Sequence, residues 1–334
     1  QQQTQPQPPT TTSFSLSLSQ LFLFLSLLLE RNSLSLSLSL TLFEGVCYRF
    51  GRGVEQNQEE EVKWYKLAAN QGHAQAQHYL GACYMEGKVV DRDEKEAFKW
   101  FKLSADQGYA DSMYNVSNCY KRGTGVEANQ IERVRWCRAA AENNSYWAQN
   151  DMGFIYERGW GGVQPDEQES FKWYKKSADQ GCPEAQCNLA VKYLYGQGVQ
   201  KDEKEAINLF QKSAVQGYAQ GQCNLGKAYA QGMGGLEQNY EEAVKWLLLA
   251  AKQGHDESMC SLGRHYRLGF GVAKDEQEAK KWYSRSAEAG NETARMILSG
   301  AFQQPSPSIG PLIFASAVIV VVGVVGLYLW RKNK

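Results

Sequence analysis

One clause keeps returning along this chain. KWYKLAANQGHA occupies 63–74, KWFKLSADQGYA 99–110, KWYKKSADQGCP 172–183 and KWLLLAAKQGHD 245–256. A period of 36 or 37 residues is too long for a heptad and too short for a domain. It is the length of one supersecondary unit that must stack on its neighbours to bury its apolar face. Six full units align, at 73–108, 109–144, 145–181, 182–217, 218–254 and 255–290. A seventh ends at Gly72, its opening replaced by a Leu–Ser tract.

Each unit reads as two helices. The first opens on a small residue (Ala76, Ser112, Ala148, Ala185, Gly221, Ser258) and carries another five positions on (Gly81, Ser117, Gly153, Ala190, Gly226, Gly263). Small side chains there let a second helix approach closely. Three positions later stands a tyrosine in every unit: Tyr48, Tyr84, Tyr120, Tyr156, Tyr193, Tyr229 and Tyr266. A glycine then closes the helix, as a left-handed cap requires.

The second helix begins with Asp or Asn three residues before Glu, seven times over: Asn57/Glu60, Asp93/Glu96, Asn129/Glu132, Asp166/Glu169, Asp202/Glu205, Asn239/Glu242 and Asp275/Glu278. This is capping-box spacing, in which each side chain is expected to satisfy a backbone amide of the other's end. Next come Trp64, Trp100, Trp136, Trp173, Leu209, Trp246 and Trp282, expected as core wedges burying about 150–250 Å² each. The expectation is an all-α, right-handed α/α superhelical solenoid of about seven helix pairs over 44–302. NETARMILSGAF at 291–302 supplies one more first helix, with Ala294, Leu298, Ser299 and Phe302 in register.

This register of small residues, Tyr, Gly, Asp/Asn–Glu and Trp resembles the Sel-1-like repeats, relatives of the tetratricopeptide repeats. Val89 stands in place of a second loop glycine, Leu209 in place of Trp and Asn144 in place of a closing Gly, a mild change because Asn tolerates the left-handed region. The resemblance implies an adaptor that binds other proteins and does not catalyse. By analogy with related solenoids, first helices line the binding side, and the slot two before the repeat Leu varies most. His78, Tyr114 and Asn150 are therefore the candidate protein-binding residues; Cys187, Cys223 and Cys260 follow in the same slot.

Chemistry is otherwise sparse. His73 and His255 fill the variable first slot of their repeats, His78 and His265 lack a second ligand at metal spacing, HExxH is absent, and no CxxC occurs, so no metal is expected. Solvated or groove-lining histidines are the expectation. GRGV, GTGV, GQGV and GFGV punctuate loops between helices and do not cradle phosphate after a strand. No catalytic residue, cofactor or small-molecule substrate is expected. The eight cysteines are read as small core residues. Equivalent helices about 8–10 Å apart exceed the Cα limit of about 7 Å for a disulfide. With 36 basic and 36 acidic residues, charge offers nothing to nucleic acid.

The ends are different texts. Residues 1–43 are low-complexity, expected to be disordered or a translated CT-rich tract; LFLFLSLLL at 21–29 is alternatively a signal-peptide core. Strict Leu–Ser alternation at 34–40 has the period of a strand. The chain starts at Gln1 and its first methionine is Met85, so an upstream start is expected. After a Pro/Ser linker at 303–311, LIFASAVIVVVGVVGLYLW at 312–330 has no charge and precedes the basic tail 331–334. As a helix it spans roughly 28 Å and is expected to cross a membrane once. Repeats followed by such a span resemble the adaptor class of endoplasmic-reticulum-associated degradation ubiquitin ligases. Two topologies stay open: a lumenal repeat domain in the endoplasmic reticulum membrane, or a cytosolic tail-anchored one. Three sequons, at Asn115, Asn143 and Asn291, bear on that choice.

Overall fold

The short polar residue ahead of each repeat glutamate becomes a helix N-cap. In the computed structural model, which describes residues 34–300 apart from Lys88, Asn57 Oδ1 accepts from the Glu59 and Glu60 amides at 3.0 and 3.1 Å. Asp93, Asn129 and Asp275 repeat that pattern, and Asp202 and Asn239 accept from the third amide alone. The reciprocal half of the capping box is absent at these caps, for a reason that recurs seven times. The cap residue's own amide already donates to the carbonyl of the repeat tyrosine, as in Asn57 to Tyr48 (3.1 Å), Asp202 to Tyr193 (2.9 Å) and Asp275 to Tyr266 (2.9 Å). The glutamates are thereby free to pair one turn onward: Glu60–Lys63, Glu96–Lys99, Glu132–Arg135, Glu169–Lys172, Glu242–Lys245 and Glu278–Lys281. The tyrosine slot is thus a backbone clasp joining the two helices of each pair.

The described residues form helices and turns, with no strand among them, and they divide into two compact units between Asp166 and Glu167. The first unit holds α1 (Leu34–Phe50), α2 (Gln58–Asn70), α3 (Ala74–Glu86), α4 (Glu94–Asp106), α5 (Ala110–Arg122), α6 (Gln130–Glu142) and α7 (Tyr146–Arg158). The second holds α8 (Glu167–Asp179), α9 (Pro183–Tyr195), α10 (Glu203–Val215), α11 (Ala219–Gln231), α12 (Tyr240–Lys252), α13 (Asp256–Leu268), α14 (Glu276–Glu288) and the short α15 (Glu292–Leu298). Within each unit, consecutive helices pack on one another.

The Leu–Ser stretch from Leu34 is helical, not extended, and Leu42 joins the core with Val62, Tyr65 and Leu80. Leu and Ser both tolerate a helix, and α1 occupies the place of the first helix that the opening repeat lacks. Packing against α2 overrides the two-residue period. Residues 1–33 lie outside the described residues, as do the linker 303–311, the apolar segment 312–330 and the tail 331–334. Among the described residues, no helix is long and apolar enough to cross a membrane.

The main core wedge is the residue after the tryptophan. In the tryptophan slot Trp136, Trp173 and Leu209 are buried as expected but Trp64, Trp100, Trp246 and Trp282 are only half-buried, whereas Tyr65, Phe101, Cys137, Tyr174, Phe210, Leu247 and Tyr283 are all buried. These side chains fill the space left by the small first-helix slot. A Cβ on Gly81 would meet the Phe101 ring at 2.8 Å, and one on Gly263 the Tyr283 ring at 2.8 Å. The tryptophans sit one position round the helix, beneath cations: Lys102 Nζ lies 4.9 Å from the Trp136 ring centre and Lys176 Nζ 4.1 Å from that of Trp173.

Glutamines link one pair to the next. Gln77 Nε2 donates to Ala69 O at 3.2 Å, while Gln107 Nε2 donates to Gln77 Oε1 at 2.7 Å. In the second unit Gln216 reaches Gln186 and Gln253 reaches Gln222, both at 2.9 Å. Asn144, where the closing Gly is replaced, adopts φ 68° and is the one non-glycine with positive φ among the described residues.

Candidate functional site

The variable first-helix slot faces different chemistry in the two units. On α3, His78 Nδ1 lies 2.9 Å from Ser112 Oγ, which donates to Ser104 Oγ at 2.8 Å; Ser104 in turn donates to the Ala74 carbonyl at 2.7 Å. That chain of donors makes Nδ1 the protonated nitrogen. The ring also lies tilted against those of Tyr109, at 5.1 Å between centres, and Phe101, at 5.7 Å. Burial pushes the His78 pKa down, Asp111 opposing and Arg49 adding. Tyr114 on α5 is half-buried, and Asn150 on α7 is 3% exposed. The three recur at one helical position, but His78 and Tyr114 keep part of their surface open and Asn150 sits in the packed interior.

The sequon residues differ in the same way. Asn143 ends α6 and is exposed, its Nδ2 donating to Ala139 O at 2.9 Å. Asn115 is half-buried within α5. Asn291 is the N-cap of α15, accepting from Ala294 N and donating to Asp256 Oδ2 at 3.0 Å.

In the second unit the slot holds thiols. Cys187 and Cys223 are buried and Cys260 half-buried; all eight cysteines are free. Burial pushes Cys187 up to about 12 and Cys223 and Cys260 up to about 11. Around Cys223 lies a polar cluster that the sequence reading passed over. Its Sγ is 3.9 Å from Glu257 Oε2, and Lys227 Nζ is 2.5 Å from Glu257 Oε1. His255 Nε2 is 3.0 Å from Gln220 Oε1. Ligand-type atoms of Cys223, His255 and Glu257 all lie within 4.8 Å of one another. Burial opposes the charged forms of both Lys227 and Glu257. Even so, Lys227 is lifted above its ordinary range by Cys223 and Glu257, and Lys227 holds the Glu257 carboxyl below its own.

The histidines are more engaged than solvated side chains would be. His73 and His255 are N-caps, their Nδ1 atoms accepting from Ala76 N and Ser258 N. His265 is buried, its Nδ1 2.8 Å from the Phe270 carbonyl. The signal for the Cys223 cluster was H-x-E at the mouth of one repeat and a cysteine one repeat earlier. It becomes visible only when residues are compared across repeats.

The family model of the Sel1 repeat matches residues 45–73, 74–109, 110–145, 148–182, 183–218, 219–255 and 256–291. A search of curated protein sequences finds no match. Among solved structures, c5321, a protective antigen of uropathogenic Escherichia coli with an SLR fold, is 36% identical with a TM-score of 0.65, over 80% of this chain and 57% of that one. A Sel1 repeat protein from Oxalobacter formigenes is 28% identical with a TM-score of 0.61, over 79% of this chain and 76% of its own. This chain therefore spans little more than half the length of the first of these relatives. Seven matched repeats, in step with seven tyrosine clasps, make the conclusion plain: the chain belongs to the Sel1 repeat family.

Proposed function

We propose that this chain is a protein-interaction scaffold whose first helices receive the partner, held at a membrane by residues 312–330. Sel1 repeat proteins serve as scaffolds for protein–protein interaction. The observation that carries the reading is the contrast between slots. Caps and clasps repeat from unit to unit, whereas the first-helix position runs His78, Tyr114, Asn150, Cys187, Cys223, Cys260. Where that varying position keeps part of its surface open, at His78 and Tyr114, it is available to binding. The membrane part rests on the 19 uncharged residues of 312–330 and the basic end after them. Recruitment of clients for endoplasmic-reticulum-associated degradation is its most specific form, and its support is the order of repeats followed by span.

The test uses the full chain in cells, with partners captured by proximity crosslinking and identified by mass spectrometry. Tyr114→Ala should lose a defined set of partners while its melting curve stays cooperative. Ile131→Ala, on the exposed flank of α6, should keep them. Equal capture by both variants would reject the first-helix surface. Carbonate extraction of the same cells tests the membrane part: release into the soluble fraction would reject it.

A further inference from the structure

We infer that Cys223, His255 and Glu257 form a binding site for a borderline-soft divalent cation of the zinc class. The three come from two consecutive first helices: Cys223 from the middle of α11, His255 from the cap and Glu257 from the first turn of α13. One thiol, one imidazole and one carboxylate are the three donor types zinc takes. Hard cations such as magnesium and calcium want oxygen alone.

The distances leave little to rearrange. With metal–sulfur and metal–oxygen bonds of about 2.3 and 2.0 Å, a tetrahedral site places sulfur and oxygen about 3.5 Å apart. Cys223 Sγ and Glu257 Oε2 are already 3.9 Å apart. Glu257 divides its oxygens, Oε1 to Lys227 and Oε2 toward the thiol. The side facing the thiol is therefore the one offered to an ion. Gln220 Oε1 lies 3.0 Å from His255 Nε2, and its amide oxygen can serve as a fourth donor.

The imidazole also has its outer partner in place. Nδ1 now accepts from the Ser258 amide at 3.2 Å, so Nε2 carries the proton and donates to Gln220. Ser258 Oγ lies 2.9 Å from the same Nδ1. On ion binding Nε2 releases its proton to solvent and Nδ1 takes one up, giving up the Ser258 amide and donating a hydrogen bond to Ser258 Oγ instead; this frees the Nε2 lone pair for the metal and fixes the ring. The Cys223 thiol loses its proton to solvent as the sulfur–metal bond forms. Nothing is oxidised or reduced.

Lys227 is the cation already resident. Its side chain is 32% exposed and that of Glu257 34%, so this edge is both the route by which an ion enters and the route by which the ammonium swings out. Lys227 and the metal compete for one negatively charged corner, and this competition separates the site from an ordinary surface histidine.

The test uses the full chain, without a polyhistidine tag, reduced and stripped with chelator. Cobalt(II) serves as the spectroscopic probe and zinc as competitor. One equivalent of cobalt should give a thiolate-to-cobalt charge-transfer band that zinc bleaches and that magnesium and calcium leave unchanged. Cys223→Ser should abolish the band. His255→Asn, which keeps a capping oxygen for α13, should weaken binding at least about tenfold. Lys227→Met should tighten zinc binding about tenfold, an outcome no damaged fold would produce. Cys187→Ser, one repeat away, should leave the band intact. Absence of the band in the parent chain, its survival in Cys223→Ser, or unchanged affinity in Lys227→Met would each overturn the site.

Discussion

The ammonium of Lys192, a side chain buried to 1% exposure, lies 2.6 Å from the Glu167 carboxylate, which is almost half exposed. The two partners of this ion pair inhabit different media, so removing one is not equivalent to removing the other. Lys192→Met leaves a carboxylate that water can re-solvate, and replaces a buried charge with a similar apolar stem. It should shift stability by no more than about 1 kcal/mol. Glu167→Ala leaves a charge inside the second unit without its carboxylate and should cost on the order of 3 kcal/mol. Chemical denaturation of both variants checks the ordering. Equal losses would mean that the pair contributes only through packing.

The buried residue next to each tryptophan predicts a second asymmetry. Phe101 packs over Gly81 and is buried on all sides, whereas the neighbouring Trp100 is half-buried. Phe101→Ala should cost about 3–5 kcal/mol, as large cavities in cores do. Trp100→Ala should cost clearly less despite the larger ring. Gly81→Ala, which forces a methyl against Phe101, should cost about 1–3 kcal/mol. A Trp100→Ala loss as large as that of Phe101→Ala would reject this ranking.

That ranking marks where sequence reasoning stopped. The period, the caps, the tyrosine line and the positive φ of Asn144 were legible because each repeats seven times in a backbone role. The wedge was not, because Tyr65, Phe101, Cys137, Tyr174, Phe210, Leu247 and Tyr283 share no side-chain type, while the tryptophans beside them are nearly uniform. Uniformity pointed to the neighbour that is buried at Trp136, Trp173 and Leu209 alone. The missing half of the capping box was also hidden, since only the fold shows that the Tyr48 carbonyl already holds the Asn57 amide. The Cys223 cluster was hidden for a third reason: its members are separated by one repeat in sequence and joined only by stacking.

Gln222 donates to Ala214 O at 3.2 Å and accepts from Gln253 at 2.9 Å. It thus ties the end of α10 to the end of α12. Gln222→Leu preserves bulk but leaves Ala214 O with the Gly217 amide and Gln253 Nε2 with Gly217 O as remaining partners, and should cost about 1 kcal/mol. Hydrogen exchange should quicken at both helix ends together. Quickening at α10 alone would show that Gln253 does not depend on this link.

Acid should destabilise the folded chain before its carboxylates titrate. Burial lowers the pKa of His78 and His265, and of His73 and His255, below the ordinary value of 6.5. A histidine depressed on folding binds its proton first in the unfolded chain. The stability it supports is therefore full above pH about 6.5 and is lost as pH falls toward the folded-state value. Urea midpoints should fall between pH 7 and 5.5. His265→Asn, whose amide can still donate to the Phe270 carbonyl, should make that fall shallower. A midpoint that is flat or rises over this range would contradict the buried, neutral state of these rings.

Passage through a glycosylating compartment should mark one sequon in preference to the other two. The atom that carries an N-linked glycan is Nδ2. Asn143 is exposed at the end of α6, and its Nδ2 gives up a bond to its own helix, Ala139 O, and a long, weak one to Met113 Sδ at 3.8 Å. In Asn291 the same atom holds Asp256 Oδ2 one repeat back, so a glycan there costs an inter-repeat tie. Asn115 is half-buried within the body of α5, so a glycan there must be accommodated against an ordered helix rather than at a helix end. Expression of the chain behind a secretory leader, followed by endoglycosidase treatment of the folded product, should give a mobility shift that Asn143→Gln removes. Asn115→Gln should leave that shift intact. Asn291→Gln should leave most of it and lower the melting temperature slightly, because Gln caps α15 less well than Asn. A shift that disappears with Asn115→Gln instead would mean that α5 accepts a glycan within its helical body.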